Sequence, residues 1–561
     1  QLERFQKKEA RKKRAQEQPE HTFASPEAAY AFYAAASGTR LRLLVSTLLC
    51  LGSVLLLVLS TPLITGAFSD HAAVFSAAML GLLLLQAVCS YDVCLSGVIA
   101  LLRFRFDQYS MLFLALCAVV ADAFFAVAEG RTPFCTVAGI LLLLALWGRD
   151  LLYDARRRSL RAISNMDEPV AAIREEKAWH GYDCIFRAPG DAEQFAVQLE
   201  MPDAGSRIMR VWAPVMTAVT LALSVLTSLR TGEHFLWAWS AMLLASFPAG
   251  ILIAYAKPFS ALARRLYRAG AAIAGWQGAR ILSGEAGLIV EDADLFPPQN
   301  VTQGGMKLYG SRPAPMVIGY ANAVVQTAGS GLVPLFEQMM HDQNGRRYTV
   351  DTFRRYEGGG LGATIRGDVV LMGSIAFMKL MRVRVPEGTR LKQAVYLSVN
   401  GELTAVFALN YAPAESVRAG LSAVLRAGSL VPVLATRDFM ITPQFLKLRY
   451  KIPPEHIEFP IVEERARLSS QEIPRTGPQG ALMARSSFAS FAGSVVSART
   501  LRGAAIIAMI VALAGSVLGT ALMFFLTFLG SSFSASCWNL FLYTVLWLIP
   551  GLLTALLAGR A

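Results

Sequence analysis

"GLIVEDADLFPPQNV", residues 287–301, sets four uncharged residues against a run of three acids and two prolines. A short continuous apolar run of this kind suits a parallel strand buried on both faces. A second run, "LVPVLAT" at 430–436, predicts a neighbouring strand, and "AESVRAGLSAVLRAG" before it predicts a helix with Val417, Leu421, Val424 and Leu425 on one face and Gly428 as its stop. Ligands in open α/β sheets bind at the carboxyl ends of strands, so Glu291, Asp292, Thr436 and Asp438 are expected at one crevice.

The rest of the chain is far more apolar than a soluble α/β protein. Hydrophobic residues make up 54% and charged residues 17%, and the mean hydropathy is +0.44, which defines a membrane protein. A bilayer core of roughly 30 Å needs about 20 apolar residues per helical crossing. Runs of that kind cover Leu43–Phe68, Ala72–Leu102 (interrupted by Asp92), Met111–Ala128 (interrupted by Asp122), Phe134–Trp147, Val211–Leu229, Leu236–Ala256, Ala504–Phe533 and Ala535–Ala558. They predict about eight crossings.

Lys and Arg gather in "RFQKKEARKKRAQ", "RFRFD" at 103–107, "RDLLYDARRRSLR" and "KPFSALARRLYR", whereas the loops around Ser69, Gly130, Thr231 and Ser532 are short and nearly neutral. By the positive-inside rule both termini and both large inserts face the cytoplasm, as expected of a multi-pass protein of the plasma (cytoplasmic) membrane. The same rule accounts for the net charge of +13, so no nucleic-acid partner is expected. The basic leader has neither the h-region nor the cleavage site of a signal peptide. Seven cysteines lie mostly in apolar runs without C-x-x-C spacing, which reads as core packing. Carboxylates at membrane depth are costly and face a bundle interior or water, so Asp92 and Asp122 are candidates for an ion pathway, with a position near a helix end as the other reading.

Four crossings, a small insert, two crossings, a large insert and two crossings resemble the heavy-metal-transporting branch of the P-type ATPase superfamily. Local stretches carry the resemblance: "GVIALLRFRFDQYSMLFLAL" (97–116), "ILLLLALWGRDLLYDARRRSLRAI" (140–163), "SFPAGILIAYAKPFSALARRLYRAGA" (from Ser246) and "YEGGGLGATIRGDVVLMGSIAFM" (356–378). It extends from about Leu43 to Leu557. The last stretch is similar to the family's nucleotide-domain hairpin, which makes Gly360 and Gly362 nucleotide-binding candidates because glycine lets backbone approach a ligand closely. Pro334 stands after Val333 where the family has a His-Pro pair. Pro248 would free carbonyls near Ala245 to face an ion, or simply kink a packed helix.

Where the family keeps its chemistry, this chain departs from it. The phosphorylation motif Asp-Lys-Thr-Gly-Thr-Leu-Thr aligns with "EDADLFP", putting Glu291 or, one place on, Asp292 at the nucleophile position without the lysine, threonine or glycine. Thr436-Arg437-Asp438 replaces Thr-Gly-Asp, Phe247 and Ala249 replace the cysteines beside Pro248, and residues 457–503 hold no Gly-Asp-Gly-x-x-Asn-Asp. The insert Arg156–Arg210 lacks Thr-Gly-Glu and keeps only "PGD" at 189–191.

The resemblance therefore implies an α-helical polytopic membrane protein carrying an α/β haloacid-dehalogenase-like phosphorylation domain and an inserted α+β nucleotide-binding-like domain. The expected division is a basic N-terminus (1–42), crossings one to four (43–152), a truncated actuator-like insert (153–210), crossings five and six (211–257), a phosphorylation-like domain in two parts (258–308 and 394–500, the second with a linker), a nucleotide-like domain between them (309–393), and crossings seven and eight (501–561). Three functions stay open: a relative with lost or reduced ATP hydrolysis that senses a nucleotide, metabolite or partner; an active cation transporter using Glu291 or Asp292; and a scaffold without ligand. ATP and Mg²⁺ are the implied cofactors, with weak or absent binding and Asp292 as the metal candidate. The lipid bilayer is the expected partner, with a nucleotide and a cation as possible ligands.

Overall fold

A computed structural model describes residues 19–36, 40–60, 67–386, 393–530 and 534–560. The basic leader and the loop around Ser532 lie outside the described residues. Among the described residues, eight helices are long and apolar enough to cross a membrane. They lie within Arg40–Leu59, Ala67–Cys89, Gln108–Glu129, Cys135–Ser164, Ala204–Thr231, Phe235–Ser246 with its continuation to Arg268, Phe488–Phe528 and Cys537–Arg560.

The expected second crossing is shorter than its apolar run. Its helix stops at Cys89, and after Ser90 a separate helix of 12 residues, Tyr91–Leu102, begins. Asp92 belongs to that second helix, where it pairs with Arg42 and lies 3.6 Å from Arg149. The short helix ends in a Schellman turn: Arg105 N–H bonds Ala100 carbonyl at 2.8 Å and Phe104 N–H bonds Leu101 carbonyl at 3.0 Å. Phe104 occupies the left-handed position at φ 51°. Glycine is usual there, and a side chain costs about 1–2 kcal/mol. Asp122, by contrast, is fully buried within the bundle, with Arg131 Nη1 donating to it at 3.0 Å.

At Pro248 the sixth segment breaks, as the missing N–H requires. Phe247 is extended at ψ 119°, and helix resumes at Ile251. The carbonyl of Ser246, two residues before the proline, accepts from the Ser516 hydroxyl and from Trp212 Nε1 at 3.4 Å. Gly148 lets the helix Cys135–Ser164 press on this break, since a Cβ there would lie 2.1 Å from Leu252 O.

Among the described residues, twelve strands form two six-stranded sheets in the polar inserts, ordered β11-β4-β2-β1-β12-β3 and β5-β10-β9-β8-β7-β6. The strands are β1 Val170–Trp179, β2 Tyr182–Pro189, β3 Ala271–Ile273, β4 Ala286–Val290, β5 Val301–Leu308, β6 Thr352–Tyr356, β7 Gly360–Ile365, β8 Asp368–Gly373, β9 Ala394–Val399, β10 Glu402–Tyr411, β11 Leu430–Leu434 and β12 Gln479–Met483. β4, buried throughout, runs parallel to β11 from Ala286↔Leu430 to Val290↔Leu434. Between them rises the helix Glu415–Arg426 with Val417, Leu421 and Val424 buried.

Two expected boundaries are corrected. The first insert is not a separate actuator-like domain: its hairpin β1–β2 is built into the core sheet, β2 parallel to β4 and β1 antiparallel to β12. A two-stranded hairpin is barely stable alone, and these strands bury Ala171, Ala172, Cys184 and Ile185 only by joining the larger sheet. The inserted domain, in turn, is wider than 309–393. The Asn400-Gly401 turn, at φ 52° and 83°, returns β10 along β9, so both pair within the second sheet, as does β5. Strand pairing thus extends this domain over residues 301–411.

Candidate functional site

β4 and β11 end side by side, and Ala435 N–H bonds Val290 carbonyl at 2.9 Å. Just beyond, Asp292 opens a one-turn helix, Asp292–Leu295. Its Oδ1 accepts the main-chain N–H of Arg437 at 3.0 Å and of Asp438 at 3.3 Å, and its Oδ2 accepts Gly331 N–H at 2.9 Å. Of the two alternatives for the acid in this crevice, Asp292 is therefore the one the backbone surrounds. Glu291 turns outward, with Arg187 3.5 Å away.

The crevice brings Asp292, Thr436 and Asp438 together, while Glu291 turns outward at its rim. Asp438 accepts Tyr411 O–H at 2.7 Å and Met440 N–H at 2.8 Å. Thr436 is buried, and its Oγ1 has no hydrogen-bond partner. Burial first, then the Asp438 charge, raises Asp292 to about 7. Burial likewise raises Asp438, against the bonds from Tyr411 and Met440. Two buried carboxyls that feel each other's charge resist joint ionisation.

Positive charge enters from elements that local motifs do not connect to the acids. Arg187 of β2 donates from Nη2 to buried Asp294 at 2.7 Å, and Asp294 in turn accepts Glu291 N–H at 2.8 Å. Burial still pushes Asp294 up to about 6, against the Arg187 charge. The only local hint was the three-residue spacing of Glu291 and Asp294, which forms a capping box. Arg437, between Thr436 and Asp438, turns its side chain away from Asp292. Its guanidinium bonds Ser469 Oγ at 2.8 Å, Ser469 carbonyl at 3.0 Å and Ala466 carbonyl at 3.2 Å, closing the end of the helix Val462–Leu468.

Two cavities flank the acids. One of about 750 Å³ is lined by Asp292, Gly331, Pro334, Arg355, Arg437 and Ser470 among others. The second, about 490 Å³, runs between Gly360 on one wall and Thr436, Phe439, Phe445, Phe459 and Arg465 on the other. Gly360 is required by packing, since a Cβ there would lie 2.1 Å from the Phe377 ring; at Gly362 the Tyr356 ring is 2.9 Å away. Neither glycine needs a ligand to explain it. Two arginines face this cleft: Nε of Arg355 and of Arg465 are buried without partners, while Arg465 Nη2 lies 3.9 Å from the Glu357 carboxylate. Burial, and for Arg355 the Arg437 charge next, lowers both.

A divalent cation would need oxygens with free lone pairs. Asp292 and Asp438 already accept four main-chain N–H groups and the Tyr411 hydroxyl between them, so a divalent cation bound here would compete with those donors. Among the described residues no group of three or more His, Cys, Asp or Glu is placed to hold a metal ion. Pro248, Asp92 and Asp122 are held by the contacts described above and are not gathered at one site.

Fold and crevice define a polytopic helical membrane protein with an α/β head and an inserted α+β domain. No protein-family model matches the chain, and no curated protein matches it. Among solved structures it is similar to a zinc-transporting PIB-type ATPase in the E2.Pi state, at 14% identity over 93% of this chain and 100% of that one, with a TM-score of 0.46. The N-domain of a copper-transporting P-type ATPase matches at 17% identity over 20% of this chain and 99% of its own (TM-score 0.17). The catalytic domain of a CPx-ATPase matches at 12% identity over 37% and 73% (TM-score 0.25).

Proposed function

We propose that this chain is a membrane protein of P-type ATPase descent whose head binds an anionic ligand without passing a phosphoryl group through Asp292. The carrying observation is that both Asp292 oxygens are occupied by main-chain donors, one of them Gly331 of the inserted domain. An acceptor carboxylate must be free to attack, and its charge repulsion with the incoming phosphate must be neutralised by a placed cation. Here Arg437 is turned into a helix end and Arg187 is spent on Asp294.

The cleft of about 490 Å³ supports the ligand half of the reading. Arg355 and Arg465 offer donors without partners, the Thr436 hydroxyl a third, and Phe439, Phe445 and Phe459 an apolar wall. A nucleotide or other phosphorylated metabolite has this combination of charge and apolar surface. The distribution of arginine supports a cytoplasmic head, from which binding would bear on the membrane helices.

The test is labelling with γ-labelled ATP. No acid-stable, hydroxylamine-sensitive phosphoenzyme is expected, with or without Mg²⁺. Labelling that disappears in Asp292→Asn would overturn the reading in favour of an active cation transporter.

A further inference from the structure

We propose that the helix Tyr91–Leu102 and the turn after it form a seat for anionic lipid, at the membrane surface on the side where the arginines gather. At 1.5 Å per residue its 12 residues span about 18 Å, too little for a bilayer core of roughly 30 Å. The helices on either side, His71–Cys89 and Gln108–Glu129, are each long enough to cross by themselves. The short helix therefore belongs at a membrane edge, where the chain turns from one crossing to the next.

One face of this helix is committed to the protein. Val93, Gly97 and Ala100 are buried, and a Cβ at Gly97 would lie 2.5 Å from Tyr109 O and 2.7 Å from Phe113 Cβ. The opposite face is an apolar stripe at helical spacing: Tyr91, Leu95, Ile99 and Leu102 are 60%, 53%, 40% and 75% exposed. Phe104 extends it at 86% exposure.

Two further features select the occupant. Phe104 takes the left-handed position of the Schellman turn, where glycine would relieve the backbone, and so holds an aromatic ring outward at a conformational cost. Arg103 and Arg105 flank it, both exposed, while Arg42 lies over the Tyr91 ring at 4.9 Å at the other end. Aromatic rings between cations suit the boundary of acyl chains and phosphate headgroups. Each arginine near an anionic leaflet is worth about fivefold in preference over a neutral one, at about 1 kcal/mol apiece. An apolar protein partner would leave the exposed Arg103 and Arg105 without counter-charge.

The experiment places p-benzoylphenylalanine at position 104 of the full chain, in nanodiscs of mixed phosphatidylglycerol and phosphatidylcholine, with adducts read by mass spectrometry after illumination. Phosphatidylglycerol adducts are expected several-fold above their share of the bilayer, falling to that share when Arg103→Gln and Arg105→Gln are combined. Phe104→Gly, which relieves the turn, should keep or raise thermal stability while native mass spectrometry shows fewer retained phosphatidylglycerol molecules. Adducts in the bulk lipid ratio, adducts to a second copy of the chain, or no lipid adduct would each overturn the proposal.

Discussion

Gly331 donates its main-chain N–H to Asp292 Oδ2 at 2.9 Å, so a loop of the inserted domain is bonded to the acid at the end of β4. The approach is close enough that a Cβ on Gly331 would lie 2.7 Å from the Asp292 Cβ. Neither atom sits at the end of a flexible side chain, so a larger residue must move the loop or the one-turn helix.

Gly331→Ala should therefore destabilise the head by about 1–3 kcal/mol, the usual cost of overpacking. Thermal unfolding of the full chain in detergent, followed by fluorescence, measures it. Unchanged stability would mean that the loop does not rest on Asp292.

Arg187→Gln removes the partner of a carboxyl that is 1% exposed. Breaking a buried ion pair from one side costs about 3–5 kcal/mol. The loss should be larger at pH 8 than at pH 5, because Asp294, already raised to about 6, takes up a proton in acid and no longer carries an unpaired charge. Combining Arg187→Gln with Asp294→Asn should recover much of the stability, and denaturant titration at the two pH values reads both effects.

The Asp292–Asp438 pair makes the opposite demand on pH from an ordinary salt bridge. Both carboxyls are raised in the folded chain, so it holds protons that the unfolded chain has released, and stability falls as pH climbs from the ordinary carboxyl range towards about 7. Asp438→Asn keeps an acceptor for Met440 N–H and can donate to the Tyr411 oxygen. It should leave stability near pH 5 little changed and raise it at pH 8, on the order of 1 kcal/mol for one unit of relieved shift. Parallel stability–pH curves for the two proteins would refute the repulsion.

Arg437→Gly, which places a glycine between Thr436 and Asp438, should lose stability without gaining phosphoryl chemistry. The guanidinium closes the end of the helix Val462–Leu468 through Ala466 and Ser469. Losing such charged hydrogen bonds costs about 1.5–3 kcal/mol. The variant should melt earlier and still take no label from ATP; a labelled variant would show that Arg437 alone blocks phosphorylation.

Much of this architecture was legible in residue order because it rests on local pattern. An apolar run of membrane length needs no knowledge of its neighbours to demand a helical crossing, since backbone polar groups in lipid must be satisfied within the segment. The runs at 287–290 and 430–436 predicted adjacent buried strands, and β4 and β11 pair in parallel with Asp292 and Asp438 at their ends.

Tertiary structure decided what those acids face. Arg187 meets Asp294 across 107 residues of chain, and Gly331 meets Asp292 across 39, because two sheets and a domain boundary bring them together. No periodicity announces such contacts. The choice of Asp292 over Glu291 depended on which way one turn of helix points its side chains, and one residue is about 100° of helical rotation. The same holds for the β1–β2 hairpin, whose place in the core sheet is decided by its pairing with β4 and β12. Hydrophobic pattern is a property of a segment, whereas pairing, counter-charge and occlusion are properties of two segments at once, and for this crevice only the folded chain supplies the second.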